Sequence, residues 1–124
     1  DLPKIWNEKM IKYLGIAPKY DSQGVLQDVH WAGGLIGYFP SYALGSAYSV
    51  QIYNAMKKDM DIDKVLENGE MDKIKNWLGD KIHKYGRLKE TEEIIREITG
   101  EGLNPKYYID YLKKKYSAIY NLDI

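Results

Sequence analysis

The feature that most constrains this chain is its punctuation. Segments with apolar residues at helical spacing are each closed by glycine, asparagine or proline, and almost nothing alternates with the two-residue period of a strand. Ile5, Trp6, Met10, Tyr13 and Leu14 form a first helical stripe. Asp1 stands at its cap position, Pro3 falls in its first turn, Gly15 offers a left-handed stop and Pro18 prevents resumption. The segment 40–60 is the most apolar, opens on Pro40 and reads as a buried central helix. Asp61 or Asp63 caps a short piece that ends at Asn68-Gly69. Met71, Ile74, Trp77, Leu78, Ile82 and Tyr85 predict a helix over 70–85, stopped by Gly86. Thr91 is expected to cap a helix carrying Ile94, Ile95 and Ile98, stopped by Gly100. Asn104-Pro105 opens the last helix, which holds Tyr108, Tyr111, Leu112, Tyr116, Ile119 and Tyr120. The expected fold is all-α: five or six packed helices and one long irregular loop over 17–39, within a single helical domain spanning 1–124. The one strand-like run, 35–39, is short and flanked by glycine.

Composition removes several classes of function. The 18 Lys and Arg balance 18 Asp and Glu, so no polybasic surface for nucleic acid or an anionic membrane is expected. There is no cysteine, hence no disulfide framework, thiolate metal site or cysteine nucleophile. No apolar run approaches a membrane span, and a cytoplasmic protein is the expectation. With 12 Tyr against 1 Phe, much of the aromatic surface carries a hydroxyl that needs a partner. Tyr107, Tyr108, Tyr111, Tyr116 and Tyr120 read as packing residues with wetted tips rather than a ligand platform.

Chemistry concentrates in the irregular stretch. Asp28 and His30, two residues apart, point the same way in an extended segment. A carboxylate there can fix the imidazole tautomer and raise its basicity, or both groups can serve the loop backbone. Gly33, Gly34 and Gly37 before Pro40 leave N–H groups that can face a carboxylate or small oxyanion at a helix start, or they make tight turns. The sequence has no Gly-Lys-Ser/Thr phosphate loop and no His-Glu-x-x-His. Its two histidines, His30 and His83, are far apart, so no metal ligand set and no bound metal are expected in this chain alone. His83 and Arg87 close a helix, where their charge suits the dipole.

The run Gly24-Val25-Leu26-Gln27-Asp28-Val29-His30-Trp31 resembles the Gly-x-x-Gln-Asp-x-His-Trp signature of the carboxypeptidase Taq family of thermostable zinc metallocarboxypeptidases. Gly37-Tyr38-Phe39-Pro40-Ser41-Tyr42-Ala43-Leu44-Gly45 resembles that family's Gly-Tyr-Phe-Pro-Thr-Tyr-x-Leu-Gly segment. Residues 2–15 and the stretches around His83, Gly100 and Asn104 are similar to its flanking helices, so the likeness covers nearly the whole chain. The resemblance implies the C-terminal portion of a longer helical enzyme that removes single residues from peptide C-termini. Zinc, or another divalent metal, would be held by motifs upstream of Asp1. It also implies that Tyr42 and His30 act on the reacting group. Tyr38, Gln27, Asp28 and Arg87 would border or support the substrate. Expected partners are the peptide C-terminus, the upstream part of the same polypeptide and a second copy through the uncovered apolar face, with no nucleic acid and no membrane. The alternative is a non-catalytic helical interaction domain built on the same scaffold.

Overall fold

A computed structural model describes residues 1–123, with the side chain of Trp31 outside the description. The order of helices is α1 (Leu2–Leu14), α2 (Val29–Ala32), α3 (Pro40–Asp59), α4 (Ile62–Glu67), α5 (Met71–Lys81), α6 (Thr91–Thr99) and α7 (Lys106–Tyr120). Six of these have six or more residues, and no strand occurs among the described residues, so the fold is all-α as expected. No helix is long and apolar enough to cross a membrane among those residues. The chain divides into two compact units, Asp1–Pro40 and Ser41–Ile124.

In the first unit, α1 ends where the glycine predicts. Gly15 adopts φ 73°, and its N–H donates to the Ile11 carbonyl at 3.0 Å. Asp1 holds the cap position but makes no side-chain cap bond. The irregular stretch that follows contains two 3₁₀ turns, Asp21–Gln23 and Val25–Gln27, and the four-residue α2. Among the described residues of this unit Val25 is the buried apolar side chain, with Trp6, Met10 and Pro18 half-buried.

The second unit is organised by one stripe of α3. Ala47, Gln51, Ala55 and Met56 are buried, at the spacing of a single helix face. Ala55 and Met56 form a core with Ile62 and Trp77, joined by Ile52, Met60, Ile74, Leu78 and Ile98. The indole N–H of Trp77 donates to Asp59 Oδ2 at 2.8 Å, so the large apolar ring is buried with its polar edge satisfied. The expectation of a helix buried along its length is corrected. Ser41 to Gly45 are exposed, and the α3 residues in the core with α4 and α5, Ile52, Ala55 and Met56, lie in its second half.

Two further boundaries differ from the sequence pattern. The helix expected over 70–85 ends at Lys81, where Ile82 takes φ −129°, and a 3₁₀ turn follows at His83–Tyr85. Thr91 is the first helical residue of α6, and the extended Glu90 occupies the cap position without a side-chain bond. Glu92 and Glu93 instead place negative charge in that first turn, where the dipole favours it. Asp61 caps α4 by accepting the Lys64 N–H at 3.3 Å. Pro105 holds the cap position of α7, and the side-chain oxygen of Asn104 before it accepts the Lys106 N–H at 3.1 Å.

Gln51 is only 1% exposed, which makes its hydrogen bonds obligatory. Its amide donates to the Gly102 carbonyl at 2.9 Å and Thr99 Oγ1 at 3.2 Å, and its oxygen accepts the Asn104 N–H at 3.0 Å. One side chain thereby ties α3 to the connection between α6 and α7.

Candidate functional site

The geometry of the first unit centres on Asp28 and His30. Asp28 ends the second 3₁₀ turn with an extended backbone, φ −84° and ψ 100°. Its Oδ1 accepts the His30 backbone N–H at 2.9 Å, an Asx turn that leads the chain into α2. The same oxygen lies 2.7 Å from His30 Nδ1. The two side chains do face one another, but the reason differs from the expected one. A turn brings them together, not the two-residue repeat of an extended strand.

The His30 ring is held on further sides. It stacks on Tyr38 with centroids 5.2 Å apart and planes 27° from parallel. Phe39 meets it edge-on, also at 5.2 Å. The His30 and Asp28 side chains are 22% and 14% exposed, so the pair is sheltered yet reachable. Gln27 lies just before the pair and donates through its side chain to the Ser22 carbonyl, bracing the two 3₁₀ turns.

The electrostatics follow from this arrangement. Partial desolvation pushes the Asp28 carboxyl up, but the His30 backbone N–H, ring N–H and charge outweigh it and hold the carboxyl below its ordinary value. An ionised Asp28 selects the tautomer with the proton on Nδ1, which leaves the lone pair of neutral His30 on Nε2. Such an imidazole can accept a proton from a substrate or, once charged, donate to an oxyanion.

Gly34 and Gly37 take φ 72° and 76°, the left-handed conformation that tight turns require, and Leu35 N–H returns to the His30 carbonyl at 2.9 Å. These two glycines therefore shape the loop that carries Tyr38 and Phe39 past His30. Tyr38 and His30 share that loop with Asp28 and Gln27, so four of the six residues singled out in the sequence sit in one short segment. Tyr42 lies on the first turn of α3, in the second unit, and is exposed. Arg87, also exposed, follows Gly86 in the connection between α5 and α6.

The second unit contributes polar groups that the sequence did not single out as a set. Tyr107 donates its hydroxyl to Glu101 Oε1 at 2.8 Å, and Glu101 Oε2 accepts from Asn104 at 3.0 Å. These bonds hold the Glu101 carboxyl below its ordinary value, and the Glu101 bond raises the Tyr107 phenol. No local pattern marks such a pair, because Glu101 lies in a connection and Tyr107 on a helix. Along α7 the tyrosines stack in sequence-local pairs, Tyr108 on Tyr111 and Tyr116 on Tyr120. A cavity of about 780 Å³ between α3 and α7 is lined by Tyr53, Lys57, Tyr107, Tyr111, Lys114 and Ile119 among others, and by none of the six candidates.

The helical scaffold is shared with metallocarboxypeptidases of known structure. The M32 carboxypeptidase from Deinococcus radiodurans R1 matches with a TM-score of 0.87 at 31% identity, over 98% of this chain and 25% of that one. The chain belongs to the carboxypeptidase Taq (M32) metallopeptidase family, which it matches over residues 1–116. It is 53% identical to carboxypeptidase 1 of Bacillus subtilis (strain 168) over 98% of its own length, and 43% identical to thermostable carboxypeptidase 1 of Pyrococcus furiosus over 94%. It spans about a quarter of the length of these curated relatives.

The family is one of metal-dependent enzymes. Among the described residues, no group of three or more His, Cys, Asp or Glu is gathered that could hold a metal ion. The Asp28–His30 pair supplies two ligands where catalytic zinc takes three from the protein.

Proposed function

We propose that this chain is the C-terminal part of a zinc-dependent metallocarboxypeptidase that removes residues from peptide C-termini. In this reading it contributes a wall of the substrate cleft and is inactive alone. The observation that carries it is the Asp28–His30 pair, sheltered by Tyr38 and Phe39, within a chain that belongs to a metallocarboxypeptidase family.

A carboxypeptidase must hold a terminal carboxylate and stabilise the oxyanion that forms at the scissile carbonyl, and both tasks call for positioned hydrogen-bond donors. His30, oriented through Nδ1 by Asp28, supplies one such group. The hydroxyls of Tyr38 and Tyr42 supply others, with Tyr42 at the start of a 20-residue helix. Arg87 is the cationic candidate for a carboxylate. Gln27 and Asp28 act through the loop and the imidazole rather than on substrate. The metal belongs to residues outside this chain, and none of these roles runs through it. The partners in this reading are the peptide C-terminus, the upstream part of the same polypeptide and a second copy of the enzyme.

The test is an assay of the full-length enzyme and of the 124-residue chain on N-blocked peptides. The expected result is stepwise release of C-terminal residues by the full-length protein, abolished by chelation and restored by zinc, with no release by the chain alone. Release that chelation leaves unchanged, internal cleavage of the peptides, or turnover by the isolated chain would overturn the reading.

A further inference from the structure

Gly24 stands at the joint between the two 3₁₀ turns and belongs to both. Its N–H donates to the Asp21 carbonyl at 3.1 Å, and its own carbonyl accepts the Gln27 N–H at 2.9 Å. Asp28 is the next residue, so the position of Gly24 sets the start of the segment that ends on the Asp28 carboxylate.

The space around Gly24 is already filled. A Cβ at this position would lie 2.6 Å from Pro18 Cγ, 3.3 Å from Pro18 Cβ and 3.3 Å from Trp6 Nε1. The first distance is far inside van der Waals contact. The atom it meets belongs to a proline ring, which can change pucker but has no free side-chain rotamer to swing clear. Trp6 Nε1 is itself buried, on the inner side of α1. A methyl group at residue 24 therefore has to shift the Pro18 ring, the Trp6 side or the pair of turns leading to Asp28.

We propose that Gly24, seated against Pro18 and Trp6, is a positioning residue that sets the Asp28–His30 pair. α1 and Pro18 form one side of the contact. The two turns form the other side, with Val25 buried and Gln27 tied back to Ser22. The inference rests on the proposed carboxypeptidase reading only for what the pair acts upon, and its test reads the pair rather than turnover.

The test uses full-length protein labelled with ¹⁵N-histidine, observed above the pH at which imidazole titrates. Long-range ¹⁵N–¹H correlations distinguish a ring protonated on Nδ1 from one protonated on Nε2. The His30 signals are assigned by their loss in His30→Ala. The wild type is expected to show the Nδ1–H form, and Asp28→Ala to lose it. Gly24→Ala is expected to lose it as Asp28→Ala does, while the remaining histidine signals stay in place. Pairing Gly24→Ala with Pro18→Ala, which removes the ring carbon the methyl would strike, is expected to restore it. A folded Gly24→Ala that keeps the Nδ1–H form would overturn the proposal. If Gly24→Ala does not fold, the double variant decides: restored signals support the proposal, and their absence overturns it.

Discussion

Asp28 Oδ1 receives both the backbone N–H and the ring Nδ1 of His30, at 2.9 and 2.7 Å. One oxygen thus fixes where α2 begins and how the imidazole is turned. Because the bonds are made to the ionised carboxylate, the folded state depresses the Asp28 pKa. A depressed carboxyl stabilises the fold above its unfolded pKa, and that contribution is lost as pH falls through the folded value. Acid titration of the melting midpoint is expected to show a falling limb below about pH 4, where carboxylates protonate. In Asp28→Asn that limb should be shallower, with Asp61 and Glu101, also depressed, accounting for the rest. An unchanged limb would remove Asp28 from the account.

Gln51 gives a prediction for the second unit. Gln51→Leu keeps the volume and deletes three hydrogen bonds, leaving the Asn104 N–H and Gly102 carbonyl without the partner they have now. A buried group stripped of its partner costs about 1–3 kcal/mol. Urea unfolding should show a loss of that order, and hydrogen exchange at the Asn104 amide should accelerate. A loss below about 0.5 kcal/mol, the usual range for surface changes, would show that the bonds are not structurally required.

These residues also show how far the sequence reached. The bounds of α1 were legible because Pro3 and Gly15 act through their own φ angles, which is local physics. The Asn104 turn that leads into α7 was legible for the same reason, since Asn104 bonds two residues along the chain. The break after Lys81 was not, because Ile82 and Tyr85 continue the apolar stripe of α5 while the backbone has already left the helix. Gln51 sits in an apolar stripe, and its partners lie 48 to 53 residues away, so no window of sequence contains them. The closeness of Asp28 and His30 was legible from their spacing, but through a turn rather than an extended strand. The seat of Gly24 depends on Trp6 and Pro18, and the motif that contains Gly24 contains neither.

Tyr42 is 57% exposed in this chain, on the first turn of α3. In the full-length enzyme, Tyr42→Phe is expected to retain metal and fold and to lower turnover by about a hundredfold, the usual loss of one oxyanion donor. Steady-state kinetics beside a melting curve separates the outcomes. Turnover near wild type with a lower melting midpoint would make Tyr42 a structural residue.

In the proposed function His30 serves the substrate rather than the fold. This role is tested most directly by kcat/KM of His30→Ala in the full-length enzyme, with bound metal and melting midpoint measured on the same preparation. The expected result is a fall of about a hundredfold at unchanged metal content. A kcat/KM within about twofold of wild type, less than 0.5 kcal/mol of lost transition-state stabilisation, would contradict it.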